Sequence, residues 1–498
     1  MGEKTAIPEN MGQTMELLER ALAGRRVFRY MEELQVKEVF AEEFFGKIKR
    51  RARGIIRKGL QGKHIGIMGN NSLEWMASLC AVFWSGSVAV LLDKEMDGET
   101  LRDKVQKVEI RGILYDDFAA KTVQDTELPH SLVKISFSEL QKEDENCHGE
   151  ELSCAKRKGE ELACVFFTSG TTGESKGVMM SEQGLAAGIC HQVNDQRFQA
   201  LLAVLPFHHL SGFSSVLNAL YLGAEVCIAE DMKYFYRYLE CMKPDYVFVV
   251  PSMLRMLARK LKKGGPNGNL LGWNLKMINC GGASFCPEFL QMLLEHKIKV
   301  FQGYGASEAG AIGFMWEMTL DRPDTIGKPP KDMEVKIENG ELCLRSPSVM
   351  MGYYGEKEET EKVLCQGWYA TGDLCRMDGE GYLYLTGRRN NLIILANGEN
   401  VSPEEIEKKL YQYEDIQEVV AGAEENLITG VIFPRYPEKC SPQEKEEIKD
   451  RIRREVEEYN QSVPVYKQIK KIRFLEEAPE KTAIGKLIRR KVLEGEEK

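Results

Sequence analysis

The sequence predicts an α/β chain in three parts: a large N-terminal domain of mainly parallel sheets layered with helices, a small β-rich subdomain closing it, and a smaller C-terminal α+β domain. Three observations predict this. From about residue 60 to 330, short β-branched runs alternate with amphipathic stretches, the pattern of strands covered by helices on both faces. Over 334–346, "EVKIENGELCLRS" is two alternating runs around Asn339-Gly340, a strong hairpin signal. Past Arg388 the pattern changes to a helix start, two strands and a long charged helix. A chain of 498 residues is also too long for one compact core. The boundary falls at about residue 388, giving domains of 1–387 and 388–498.

In chain order, the uncharged run "MASLCAVFWSGSVAVLL" (76–92) approaches the length of a membrane span. Ser85-Gly86-Ser87 breaks it, so it reads as helix, turn and buried strand, and no membrane span is expected. "CVFF" before residue 168 reads as a strand, as do 201–205, 225–229, 246–250, 276–280 and 298–302. "PSMLRMLARKLKK" has helical periodicity. "GYLYLTG" (381–387) extends the β-rich part. "SPEEIEKKLYQY" opens the last domain with Ser402 as N-cap, Pro403 at the first helical position and early glutamates. Strands near 416–421 and 427–433 follow, then a charged helix over about 442–460.

Composition excludes several classes. The net charge of -9 gives no general attraction to nucleic acid or anionic membrane. Thirteen cysteines lie singly without a CxxC pair, which fits reduced thiols in a cytoplasmic protein and neither zinc nor disulfides. The N-terminus carries no signal or myristoylation pattern.

The stretch "TSGTTGESKGV" (168–178) follows the apolar run and precedes a helix near Glu182. Successive N–H groups of a Gly-rich turn form an anion-binding concavity, hydroxyls add donors, and Lys176 adds a charge suited to phosphate. The order strand, loop, helix supports a phosphate-holding loop, although an exposed turn uses the same composition. The stretch does not fit G-x-x-x-x-G-K-[ST], because Gly177 follows Lys176.

Together with "PFHHLSGF" (206–213), "GGASF" (281–285), "YGASE" (304–308), "GELCLRSPSVMMGYY" (340–354), "WYATGD" (368–373), "GRRNNLIILANGENVSPEEIE" (387–407) and "KTAIGKLIRR" (481–490), the loop resembles the adenylate-forming superfamily. That superfamily includes acyl-CoA and aryl-CoA ligases, adenylation domains and firefly luciferase. The matches keep its order and spacing over about residues 160–490.

The resemblance implies a reaction. A carboxylic acid is activated with ATP and Mg2+ to an acyl adenylate, and the acyl group then passes to a thiol. It also implies roles by position. Thr168, Ser169, Gly170, Thr171, Thr172, Gly173 and Lys176 would hold the β- and γ-phosphates. Tyr304 would stack on adenine, with Gly282, Ala283 and Gly305 shaping the slot. Ser307 would reach the α-phosphate and Glu308 the Mg2+. Asp373 would take the ribose hydroxyls and Arg388 the ribose or phosphates. His209 would orient the carboxylate, with His208 as its neighbour, and Lys486 would bridge the carboxylate and the α-phosphate. Gly398 would leave room for the pantetheine of CoA. The small C-terminal domain is expected to swing about a hinge at 388–391, where Asn390 replaces the family's usual Asp or Lys.

No Asp follows Phe207, which argues against an α-amino acid substrate. The small residues Ala306, Ala309, Gly310, Ala311 and Gly313 are expected to leave room for a long or flat apolar tail, and "NLIILANGENVSPEEIE" is most similar to fatty acyl-CoA ligases. The leading expectation is therefore a cytoplasmic ligase joining a fatty or other apolar acid to CoA. Transfer to a carrier protein in trans is the alternative, since both acceptors end in the same phosphopantetheine thiol. Basic clusters near the C-terminus could receive either one, or be solvated helix faces. A silent nucleotide-binding protein is a third reading, opposed by Lys176, Glu308, Asp373, Arg388 and Lys486 standing together.

Overall fold

The computed structural model describes residues 7–145, 152–168, 175–191, 198–264, 274–281, 287–311, 313–395, 399–424, 427–437, 439–481 and 487–495. Two large sheets dominate. The first runs, edge to edge, Phe314–Glu317, Lys299–Tyr304, Met277–Gly281, Tyr246–Val249, Ala200–Ala203, Glu225–Ile228, Arg26–Glu32 and Gln35–Phe40. Its inner strands are parallel, and only the two edge strands pair antiparallel. The second runs Gly352–Tyr353, Lys176–Ser181, Leu162–Thr168, Val88–Leu92, His64–Met68, Ile110–Tyr115 and Val133–Ser136. Its last five strands are parallel.

The stretch 76–92 shows why the sheets stack. Helix Leu73–Trp84 is buried on nearly every face, which a surface helix with one apolar stripe would not be. Ser72 caps it by accepting from the Trp75 N–H, and Gly86 takes the left-handed turn at φ 74° into the buried strand Val88–Leu92. One hydrophobic core joins this helix to Ile65 and Leu91 of the second sheet and to Phe28 and Val226 of the first. The helix is therefore a layer between the sheets. Separate apolar clusters cover the outer face of each sheet.

The N-terminal helix Met11–Leu22 is tied to this body by a buried carboxylate. The Met11 N–H donates to Glu182 Oε2 at 2.9 Å, and Arg157 Nε lies 3.4 Å from Glu182 Oε1. Burial pushes the Glu182 carboxyl up to about 7 despite these partners.

The phosphate-loop segment corrects one expectation. Helix Glu182–Ile189 is present, but Lys176–Ser181 before it is a strand antiparallel to Leu162–Thr168. The described residues on either side of 169–174 are therefore paired antiparallel strands, and the helix follows the second of them. In "KGVMMS" Gly177, Val178 and Met180 are buried, and the strand pairs on both edges, with Leu162–Thr168 and with Gly352–Tyr353.

The β-rich part holds Glu334–Glu338, Glu341–Arg345, Trp368–Met377, Leu364–Cys365 and Leu383–Arg388, all antiparallel. Asn339 (φ 52°) and Gly340 (φ 81°) form the tight turn of its first hairpin. From Ile393 onward the chain builds its own core. Helix Pro403–Leu410 and helix Pro442–Gln461 pack on the three strands Ile416–Glu424, Leu427–Pro434 and Lys471–Phe474. Ser402 occupies the N-cap position but does not cap; its hydroxyl donates to Glu404 Oε2 at 2.9 Å. Ser441 caps the long helix, in a reciprocal pair with Glu444.

Among the described residues, no helix is long and apolar enough to cross a membrane. The described cysteines are all unpaired thiols, and burial pushes Cys190 and Cys227 up to about 12.

Candidate active site

The sheets bring the motif residues to strand ends. Thr168 closes Leu162–Thr168 and faces Lys176 directly across the hairpin, so the lysine stands at the mouth of the loop. Tyr304 ends Lys299–Tyr304, and Gly281 ends the neighbouring strand, in register with Gly303. In parallel sheets such carboxyl ends form the crevice where ligands bind.

One tyrosine connects the two sheets at this edge. Tyr353 pairs with Val178, two residues beyond Lys176. Its hydroxyl donates to Glu308 Oε1 at 3.0 Å, and its ring lies 4.9 Å from Lys176 Nζ. Lys176 also pairs with Glu359 at 2.5 Å, and that contact with Lys362 beside it holds the Glu359 carboxyl down at about 2. Glu308 and Ser307 belong to the single turn Ser307–Ala309, whose position is pinned by the Met350 N–H donating to the Glu308 carbonyl at 2.9 Å.

A second cluster adjoins it. The buried Tyr304 hydroxyl donates to Asp373 Oδ2 at 2.7 Å, and Arg388 Nε lies 2.9 Å from Asp373 Oδ1. Asp373 and Arg388 are partners across antiparallel strands, so the sheet itself sets this pair. Burial pushes the Tyr304 hydroxyl well above its ordinary range, and the Asp373 charge adds to it. Tyr369 is buried between the clusters; burial raises its hydroxyl, and the charges of Glu308 and Asp373 add to the effect.

His209 and His208 separate in role. His208 is buried, and its Nε2 lies 3.7 Å from Asp93 Oδ1, beside the strand Val88–Leu92. His209 heads helix Leu210–Tyr221, and its side chain makes no capping hydrogen bond.

Thr168, Lys176, Tyr304, Gly305, Ser307, Glu308, Asp373 and Arg388 thus fall on one edge of the two sheets and the β-rich part. Ser169, Gly170, Thr171, Thr172, Gly173, Gly282, Ala283, Gly398 and Lys486 lie outside the described residues. The flanks of Lys486 are described. Lys481 pairs with the buried Glu418 at 2.5 Å, and Arg489 grips Glu407 at 2.7 Å. Arg255 of the large domain lies 3.9 Å from the same Glu418. Asn390 is exposed in the short turn Arg389–Asn391.

The small residues after Tyr304 do not leave the expected room. A Cβ on Gly310 (φ 79°) would meet the Ser348 carbonyl oxygen at 1.9 Å, and one on Gly313 would meet the Tyr304 carbonyl oxygen at 2.9 Å. Ala311 already fills the space above Gly188, and Ala309 is fully buried. Close backbone packing uses these positions, while Gly305 remains open.

Sequence reasoning missed Tyr353, Glu359 and Tyr369. Tyr353 stood inside a recognised motif, but its reach to Glu308 depends on non-local strand pairing. Glu359 lies on the surface helix Lys357–Val363 and carries no sequence signal of its own.

A magnesium ion fits this arrangement in one way. Among the described residues no group of three or more His, Cys, Asp or Glu could hold a metal alone. Glu308 supplies one hard carboxylate, and Mg2+ commonly takes one or two carboxylates with phosphate oxygens and waters.

Comparison with known proteins follows the same outline. The model of the AMP-binding enzyme family matches residues 40–354, and that of the AMP-binding enzyme C-terminal domain matches residues 390–495. A 2-succinylbenzoate–CoA ligase of Bacillus cereus is 27% identical over 480 residues, covering 92% of this chain and 94% of its own. A long-chain-fatty-acid–CoA ligase of Bacillus subtilis is 30% identical over 366 residues, 68% of this chain and 62% of its own. In fold, the o-succinylbenzoate CoA synthetase of Bacillus subtilis, bound to its acyl-adenylate intermediate, superposes with a TM-score of 0.79 at 23% identity, covering 96% of this chain and 97% of that one. An anthranilate CoA ligase in complex with anthranoyl-AMP gives 0.83 at 18% identity, with 98% of both chains covered.

Proposed function

The chain belongs to the AMP-binding enzyme family, and from that premise we propose that it is an ATP-dependent acid–thiol ligase that adenylates an apolar carboxylic acid and passes the acyl group to CoA. The observation that carries this reading is the joined pair of clusters. A phosphate-loop lysine and a carboxylate meet at Tyr353, beside a buried Tyr304–Asp373 pair whose exposed partner Arg388 completes a group suited to a nucleoside.

In the first step a carboxylate oxygen bonds to the α-phosphorus of ATP and pyrophosphate leaves. In the second, the CoA sulfur bonds to the acyl carbon and AMP leaves. The residues divide the work. Thr168 and Lys176, with Ser169, Gly170, Thr171, Thr172 and Gly173, hold the departing phosphates. The Tyr304 ring stacks on adenine in a slot completed by Gly282, Ala283 and Gly305. Asp373 and Arg388 hold the ribose. His209 turns the acid's carboxylate toward the α-phosphate, which Ser307 contacts. Lys486 stabilises the charge that develops between them. Glu308 holds Mg2+, which when bound neutralises phosphate charge. Gly398 gives pantetheine its passage.

The small domain, 388–498, moves about 388–391 between the two steps. Lys408–Asp324, Lys262–Glu414 (2.9 Å) and Arg255–Glu418 then define one of its poses.

On the acid, the packing of Gly310, Ala311 and Gly313 favours a compact or flat apolar body over a long chain. That agrees with the near full-length likeness to an aryl-acid ligase. On the acceptor, the C-terminal basic clusters are mostly paired: Arg451 with Asp415, Arg453 with Asp450, Lys467 with Glu405 and Lys491 with Glu480. They read as solvated ion-paired faces, and this favours CoA over an acidic carrier protein. The unpaired buried thiols fit a cytoplasmic location.

The test is ATP–pyrophosphate exchange across benzoates, succinyl-substituted aryl acids and fatty acids of graded length. Exchange with aryl acids supports the reading, and exchange with long fatty acids alone overturns its choice of acid. A folded protein that binds ATP but exchanges with no acid overturns the ligase.

A further inference from the structure

Asn279 carries a polar atom that no role assigned above uses. It lies on the strand Met277–Gly281 and is 3% exposed. Parallel pairing places it beside Phe248 on one neighbouring strand and Phe301 on the other, and places Gly281 beside Gly303. Alternation turns all five toward the same face of the first sheet. That face belongs to the core that holds Tyr246 and Phe301 together with Phe213 and Leu217 of helix Leu210–Tyr221. His209 heads that helix, and Tyr304 directly follows Gly303. The face therefore lies between the groups read above as orienting the acid and as holding the nucleoside.

Two glycines keep the space in front of the amide clear. A Cβ on Gly303 would sit 2.9 Å from Asn279 Oδ1, and one on Gly281 would sit 3.4 Å from the Phe248 ring. Phe248 and Gly281 are part-exposed although both lie on inner strands, so the space opens at the strand ends. Behind it, the Asn279 amide is hydrogen-bonded to the buried Tyr246 hydroxyl, and the Tyr246 ring packs on Phe198 with centroids 4.4 Å apart. Asn279 Oδ1 is buried and accepts no hydrogen bond among the described residues. A buried acceptor left without a donor is costly, and native cores hold few. Pockets for small molecules, by contrast, set a few such polar atoms among apolar walls, where they fix the ligand's orientation.

We propose that Asn279 Oδ1 is a specificity determinant for the acid, accepting a hydrogen bond from a hydroxyl or amino substituent on its flat body. This rests on the ligase reading and narrows its substrate class to an aryl acid that carries a hydrogen-bond donor. A donor reaching Oδ1 makes the bond that the fold leaves unmade. An acid without one buries the oxygen unpaired and is adenylated less well. Hydroxyl and amine share this chemistry, and the experiment separates them.

Initial rates of ATP–pyrophosphate exchange give kcat/KM for benzoic acids bearing a hydroxyl, amino, methyl or methoxy group at each ring position, with fatty acids run alongside. Wild type should prefer the best hydroxy or amino acid over the methyl acid of the same pattern by about ten-fold or more. The ratio of hydroxyl to amine then names the substituent. Asn279→Leu, close in volume but without an acceptor, should abolish the preference while still exchanging with the methyl acid. Asn279→Asp, which keeps an acceptor in place, should retain it. A wild type that ignores the substituent, or that prefers methoxy, overturns the proposal and leaves the ligase standing. So does an Asn279→Leu variant that keeps the wild-type preference at a lower overall rate, the mark of a structural role. If the leucine variant does not fold, Asn279→Ala provides the same comparison. Exchange confined to fatty acids overturns the choice of an aryl acid and this proposal with it. No exchange with any acid, by a folded protein that binds ATP, overturns the ligase reading itself and this proposal as well.

Discussion

Asp373→Asn isolates the half of the site proposed to hold the nucleoside. Asp373 is 5% exposed, and its two oxygens are engaged separately, Oδ2 by the Tyr304 hydroxyl and Oδ1 by Arg388 Nε. An asparagine can keep both contacts, with its carbonyl toward Arg388 and its amide donating to the Tyr304 oxygen. The strand and its buried surroundings are therefore undisturbed, and what is lost is the charge and one acceptor for the ribose. A hydrogen bond to a charged acceptor contributes about 1.5–3 kcal/mol. Removing one predicts a rise in KM for ATP of roughly 10- to 100-fold. The ribose is held alike before and during adenylation, so kcat should change far less. Initial rates of pyrophosphate exchange against ATP, at saturating acid, measure both quantities, and a melting curve checks the fold. A KM within two-fold of wild type at unchanged Tm would refute the assignment of Asp373 to the ribose.

Three other outcomes are expected. Lys486→Ala should lower adenylation by roughly 10²–10³-fold while leaving thioester formation from supplied acyl adenylate close to wild type; single-turnover kinetics of the two half-reactions test this. Glu182 holds its proton more tightly folded than unfolded, with its carboxyl raised from 4.5 to about 7. The stability linked to this proton is complete below pH 4.5 and is lost as pH climbs toward 7, by roughly 3 kcal/mol at most; the fall in Tm between pH 5 and pH 8 should be smaller in Glu182→Gln. Gly310→Ala places a Cβ 1.9 Å from the Ser348 carbonyl oxygen at a φ of 79°. It should lower stability by about 1–3 kcal/mol or more, seen in chemical denaturation as a lower midpoint with an unchanged slope.

Local chemistry made much of the fold legible. The break at Ser85-Gly86-Ser87 divided helix from strand because a glycine at φ 74° is needed there. Asn339-Gly340 marked its hairpin because both residues adopt positive φ. Reading failed where the deciding contact is distant in sequence. "KGVMMS" looked like the end of a loop before a helix, yet it is a strand paired with Leu162–Thr168 on one edge and Gly352–Tyr353 on the other. Small residues after Tyr304 looked like space, but the Ser348 carbonyl and Gly188 occupy it. Ser402 had the composition of a cap, but its hydroxyl goes to Glu404. In the site, motif order alone singled out Lys176, Glu308, Tyr304, Asp373 and Arg388 as candidates, and the structure brings them to neighbouring strand ends. Tyr353, which bridges two of them, could not be chosen among 18 tyrosines without the register of its strand.

The most direct test of the account is the identity of the products in order. Wild-type protein is mixed with ATP, Mg2+ and the acid that gives the strongest exchange, quenched before and after addition of CoA, and analysed by mass spectrometry. The account predicts acyl adenylate and pyrophosphate before CoA, and acyl-CoA with an equal amount of AMP after it. Release of ADP and phosphate, or an adenylate that persists unchanged in excess CoA, would contradict it.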